Sequence, residues 1–213
     1  LSIYSVGDAF HGATPDFRRW GGGSFTAQNQ RLVYWPMLKS GDFDMMEPQF
    51  AYYNRLLKNA ELRTKVYWGH DGCSYAEQLE NFGLPVALCW GFEKTPVDHY
   101  LRRPSFEHGE LRCPWIRYEY SQQLEFAFMI LQYHAYTGED IAAYIPFIES
   151  CVTFYFAHYT MRNRENTLTP YDANGKLVIY PSTALETYKN ATNPTDAVSA
   201  LQAVVSRVEG RPP

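Results

Sequence analysis

Five carboxylates stand where a carboxylate could act on a substrate: Asp71, Glu77, Glu119, Glu125 and Glu186. Acids set among aromatic and small polar residues suit sugar chemistry. One carboxylic acid protonates a glycosidic oxygen, and in inverting enzymes a second group about 6.5–9.5 Å away activates water from the opposite face. Glu186 closes "YPSTALE", held between Pro181 and a capped helix start, and reads either as a solvated loop glutamate or as a proton donor. Glu125 lies beside an apolar stripe inside a helix, which fits a buried structural carboxylate and a substrate ligand equally well. Glu119 and Tyr120 stand at that helix's start, where binding is easier. "GHDGCSYAE" at 69–77 gathers His70, Asp71, Cys73 and Glu77 between glycines. A Cys73 nucleophile with His70 as base would need an oxyanion hole, and the sequence signals none, so this loop is expected to hydrogen-bond a ligand. Of the common motifs, G-x-S-x-G, a phosphate-binding Gly loop and H-E-x-x-H are all missing. Gly21-Gly22-Gly23 precedes no Lys-Ser or Lys-Thr pair and is expected to be a bend before a helix.

Composition narrows the classes. With 17 Tyr, 13 Phe and 5 Trp against 20% charged residues, the chain can bury a core, and its aromatics either fill that core or line a polar cleft. The net charge is −4 with no basic run, which disfavours a nucleic-acid partner. Cys73, Cys89, Cys113 and Cys151 lie far apart without metal-ligand spacing, so they signal neither a metal site nor a disulfide framework. No stretch reaches 18 apolar residues, so no membrane span is expected. The start without Met and the end at "VEGRPP" suggest a fragment of about one domain.

The elements that must position these residues are helices. Leu32, Trp35 and Leu38 predict a helix from Ala27 to about Ser40. A second is predicted beyond an Asp42 or Asp44 cap, with Met46, Phe50, Tyr53 and Leu57 on one face and Pro48 in its early turns. Residues 69–112 are punctuated by Gly and Pro and leave room for a brief helix around Ser74 to Asn81. Leu124, Phe128 and Leu131 mark a third helix that stops at Gly138. Glu139 and Asp140 are expected in the first turn of a fourth, whose apolar face is Ile141, Tyr144, Ile145, Ile148, Val152 and Tyr155. Asn174-Gly175 signals a turn before a β-like run. A fifth helix opens with Asn193 as cap and Pro194 at the first helical position. The order is helical hairpins with long loops at one end, an all-α protein.

Four segments in order resemble the family 95 glycoside hydrolases, inverting α-L-fucosidases and relatives. "QNQRLVYWPM" (28–37) is similar to their Asn-x-Asn-x-Gln-Met-Asn-Tyr-Trp-Pro segment, and "GKLVIYPSTALE" (175–186) to their Gly-x-Leu-Val-x-x-Pro-Ser-x-Ser-Pro-Glu stretch. "QYHAYTGEDIAAYIPFIESCVTFY" resembles a hairpin found across six-hairpin glycosidases, and "NPTDAVSALQAVV" the helix after the acid loop. Together they cover roughly residues 20–208. The resemblance implies an (α/α)6 barrel of which this chain carries the amino-terminal part, the rest of the barrel being its partner in the full-length protein. It also implies an oligosaccharide or polysaccharide substrate, no cofactor and a secreted or periplasmic location. Glu186 falls on the family's general acid, with Leu185 replacing a Pro. Asn29 matches one of two Asn residues around the attacking water; the other falls on Ala27 and the family's Gln on Arg31, with Gln28 and Gln30 as possible substitutes. Tyr34, Trp35, His70, Asp71, Glu77 and Glu119 would line the sugar cleft. Two alternatives stay open: a non-catalytic carbohydrate-binding relative, and a sugar phosphorylase or lyase on the same barrel.

Overall fold

A computed structural model describes residues 25–79, 82–85, 92–94, 100–102, 111, 113–167, 169–184 and 187–210. The Gly21-Gly22-Gly23 bend, Cys89, most of the punctuated 86–110 stretch, Leu185 and Glu186 lie outside them. Among the described residues, six α-helices carry the fold: α1 (Ala27–Ser40), α2 (Glu47–Arg55), α3 (Leu57–Trp68), α4 (Ser121–Thr137), α5 (Ile145–Thr167) and α6 (Thr195–Val208). The described residues also form three two-stranded antiparallel ribbons: β1 (Phe25–Thr26) with β2 (Gln78–Leu79), β3 (Phe92–Lys94) with β4 (Tyr100–Arg102), and β5 (Ser182–Ala184) with β6 (Tyr188–Ala191). The chain is thus mostly helical, as its hydrophobic periodicity predicts. None of the described helices is long and apolar enough to cross a membrane.

The helices form two layers. In the first, α1 and α4 run parallel, because partners advance together along both: Arg31 with Glu125, Trp35 with Phe128, Lys39 with Tyr136. Helix α6 packs along the other side of α4 and starts at the same end, where Ser121 Oγ donates to Asp196 Oδ2 at 3.1 Å. In the second layer α3 and α5 are also parallel: Ser150 Oγ donates to Glu61 Oε1 at 2.7 Å, and Trp68 meets His158 a few turns further along. Tyr53 joins the layers. Its ring contacts Tyr75, Phe126 and Phe147, and its hydroxyl donates to Gln30 Oε1 at 3.2 Å, so a polar atom buried in the core finds the partner it requires.

Several expectations are corrected. The buried stripe of α1 is Ala27, Gln30, Tyr34 and Leu38, while Leu32 is 68% exposed. Gln30 takes a core position because its amide oxygen is hydrogen-bonded, a role that a count of apolar residues misses. The single second helix is two, broken at Leu56, although Met46, Phe50 and Tyr53 are buried and Pro48 sits in the first turn of α2, both as predicted. Asp42 makes no side-chain cap. Glu139 and Asp140 precede α5 rather than filling its first turn, and a short 3-10 turn at Ala142–Tyr144 intervenes. Asn193 does not cap α6; at φ 49° it turns back so that its Oδ1 accepts the Ile179 N–H at 2.8 Å.

The described part of the short helix expected around Ser74 to Asn81 is extended instead. Tertiary hydrogen bonds outcompete local propensity. Gln123, fully buried on α4, presents its amide like a neighbouring strand: Nε2 donates to Cys73 O at 2.9 Å and Oε1 accepts Tyr75 N–H at 3.2 Å. Gln122 Nε2 donates to Tyr75 O at 2.9 Å. With its backbone satisfied this way, the segment runs between the layers without forming a helix.

Candidate functional site

Three of the candidate residues, Asn29, Glu77 and Glu119, gather at the end where α1, α4 and α6 begin. The extended 71–79 segment enters there and delivers Glu77, 1% exposed, to the start of α1. Ala27 N–H donates to Glu77 O at 2.9 Å and Gln28 N–H to Glu77 Oε1 at 3.1 Å. The first amides of a helix have no intrahelical acceptor and carry partial positive charge, so a carboxylate is well matched to them. Glu119, 6% exposed, lies on the approach to α4, where its carbonyl accepts from the same Gln122 Nε2 that holds Tyr75 O. One amide therefore links the Glu77 and Glu119 segments.

Along α1 the candidates diverge. Asn29 is exposed near the helix start, while Ala27, where the resemblance expects a second Asn, is 1% exposed. Tyr34 is buried in the core, and desolvation raises its phenol above the ordinary value. Trp35 is half-buried; its indole Nε1 donates to Glu125 Oε1 at 2.7 Å, and Arg31 Nη1 reaches Glu125 Oε2 at 3.2 Å. Glu125 thus binds two side chains of α1 and serves to lock α1 onto α4. Arg31, where the resemblance expects a Gln, supplies the charge that Glu125 pairs with.

His70 and Asp71 lie apart from these, above the second layer. Asp71 is exposed, pairs with Lys65 at 3.1 Å and lines an open cavity of about 420 Å³ with Glu61, Leu62, Lys65 and Gly72. His70 belongs to a directed chain. Arg162 Nε, which can only donate, faces His158 Nε2 at 3.3 Å, so His158 carries its proton on Nδ1. That Nδ1 meets His70 Nε2 at 3.0 Å as donor, which leaves His70 Nδ1–H to donate to Asp71 O at 2.8 Å. Burial lowers both imidazoles below the ordinary histidine value; Arg162 lowers them further, and for His70 the Asp71 carbonyl partly opposes this. Both rings are neutral donors and acceptors here. They fasten the 70–74 segment to α5.

Ribbon β5–β6 flanks Glu186 in sequence and is anchored to the approach to α4. Thr183 N–H donates to Tyr118 O at 3.1 Å, Tyr118 N–H donates to Thr183 Oγ1 at 3.3 Å, and the Lys189 ammonium sits 3.3 Å from the centre of the Trp115 ring. Thr187 N–H donates to Ala184 O at 3.0 Å, joining the two strands of the ribbon. Glu186 itself lies outside the described residues. The structure brings Glu77, Glu119 and this ribbon to one end, leaves Asn29 exposed beside them, and sets Tyr34, His70 and Asp71 elsewhere.

No family model and no curated protein matches the chain. Chemistry must be argued from the residues. Among the described residues no group of three or more His, Cys, Asp or Glu is arranged to hold a metal ion. Sequence reasoning missed Gln122, Gln123, His158 and Arg162. The last two stand four apart on α5, a spacing that places both on one helix face. The glutamines carry no local signal for this role, because the 73–75 backbone that they hold lies 47 and 50 positions earlier.

Proposed function

We propose that this chain forms part of a glycoside hydrolase that removes a terminal sugar, of the α-L-fucoside type or a related glycan, with inversion. In this reading α1, α4 and α6 are inner helices of an (α/α)6 barrel, and α2, α3 and α5 belong to its outer layer. Glu186 is the general acid, and Asn29 helps to hold the water or a sugar hydroxyl. Glu77 and Glu119 order the end at which substrate binds, and Trp35 with Glu125 stiffens it.

The observation that carries the reading is the pair of hydrogen bonds between Thr183 and Tyr118. They tie the ribbon on either side of Glu186 to the segment that leads through Glu119 into α4. A proton donor needs such anchoring, because catalysis falls steeply when a catalytic group strays by about an ångström. Glu186→Gln in the full-length protein tests it with aryl glycosides as substrates. Loss of a general acid costs on the order of 10²–10⁴-fold in rate. Activity within about tenfold of wild type would remove Glu186 from the acid role.

One observation favours a second reading, a non-catalytic carbohydrate-binding relative. Ala27, in the place of one family Asn, is sealed against the Glu77 segment, so that position offers nothing to a ligand. This reading expects no turnover in the full-length protein and glycan binding that survives Glu186→Gln.

A further inference from the structure

Cys73 and Cys151 are 78 residues apart, yet their Sγ atoms lie 3.5 Å from each other, and both side chains are fully buried. Both are free thiols. The backbone around them is already in place for a tighter link. Cys73 N–H donates to Ser150 O at 3.2 Å, beside Cys151, and His70 is bonded to His158 further along α5. Between these contacts Gly72 lies so close to α5 that a Cβ on it would fall 2.2 Å from Phe154 N. A disulfide needs sulfurs at about 2.05 Å, so closing the gap takes about 1.5 Å of sulfur movement, within reach of small side-chain rotations.

We propose that Cys73 and Cys151 form a reversible disulfide that clasps the 70–74 segment to α5, with a low-molecular-weight disulfide such as glutathione disulfide as oxidant. The Cys73 thiolate attacks one sulfur of that disulfide, forming a mixed disulfide and releasing one thiolate. The Cys151 thiolate then attacks Cys73 Sγ and displaces the second. The two protons lost from the cysteines go to the two released thiolates; the protein loses two electrons and the small disulfide gains them. Cys73 reacts first, because it stands on a segment outside any helix or strand, whereas Cys151 stands on a helix and burial pushes its thiol well above the ordinary value. The rate is therefore set by opening of the segment. The clasp fixes the strand that leads to Glu77, and it holds whether or not the chain acts on sugars.

The test uses the intact chain incubated with glutathione disulfide, both in native buffer and during refolding from urea, followed by alkylation and non-reducing peptide mapping. The expected product is lighter by two hydrogens, contains a Cys73–Cys151 linked peptide and keeps its far-ultraviolet circular dichroism. Closing a loop of this length should raise the urea midpoint by about 1–2 M, and dithiothreitol should reverse the shift. Cys151→Ser should stop at a glutathione adduct on Cys73. Thiols that stay reduced under both conditions, or a link made instead through Cys89 or Cys113, would overturn the proposal.

Discussion

Gly72→Ala tests whether the 70–74 segment lies on α5 as described. Two costs add. Gly72 has φ +93°, where a side chain is strained by about 1–2 kcal/mol. The added Cβ would lie 2.2 Å from Phe154 N and 2.4 Å from its Cα, while ordinary contact begins at 3.4 Å, so the segment must retreat by 3.4 − 2.2 = 1.2 Å. The obstacle is helix backbone, which cannot rotate aside. A retreat of that size stretches the Cys73–Ser150 and His70–His158 hydrogen bonds, at 3.2 and 3.0 Å, past useful range. At about 0.5–1.5 kcal/mol for each bond, the total comes to about 2–5 kcal/mol. Gly69→Ala is the control, because Gly69 has φ +75° with nothing within 4 Å of a Cβ and should show the backbone cost alone. Urea unfolding followed by tryptophan fluorescence gives both values. If Gly72→Ala costs no more than Gly69→Ala, the close approach to Phe154 is wrong, and the frame beneath Glu77 with it.

Two further outcomes follow from the same segment. Gln123→Leu keeps the volume of a fully buried side chain but orphans Cys73 O and Tyr75 N–H, and should cost about 2–6 kcal/mol in urea unfolding, at about 1–3 kcal/mol for each group. Stability should also depend on pH through His70 and His158. Both imidazoles are lowered when folded, so the folded chain binds fewer protons than the unfolded one; stability is retained above the ordinary value of 6.5 and falls as pH drops through it. Unfolding titrations should show this decline below about pH 6.5, and His158→Gln should flatten it.

Helices with well-marked ends were legible in the sequence. Gly138 stops α4 where predicted because it takes φ 75°, and its N–H closes the last turn on His134 O. Pro48 sits at the start of α2 because a first-turn residue has no intrahelical acceptor for an N–H. Legibility ended where structure depends on distant partners. The 71–79 segment has helix-compatible residues, but what decides its conformation is a pair of glutamines on α4. Asn193 looked like a cap, and the residue it serves is Ile179 rather than the helix beside it. The 78-residue spacing of Cys73 and Cys151 says nothing about contact, because an extended segment threaded along a helix brings them together.

The candidate site divides the same way. Carboxylates at 77, 119, 125 and 186 could be picked out by type and neighbours; their roles could not, because role depends on the partner. Glu125 is engaged by Trp35 and Arg31 and so acts as a structural brace. Glu77 accepts the Gln28 N–H at the start of α1, where a helix end favours negative charge. A buried carboxyl group that receives a backbone N–H in that position is tied to the helix start. Glu77 is therefore suited to order a helix start. In the proposed hydrolase the donor stands off the helix starts, on an element anchored independently of them. Ribbon β5–β6, fastened through Thr183 and Tyr118, is such an element, and it flanks Glu186 in sequence, the residue to which the proposal gives the acid role.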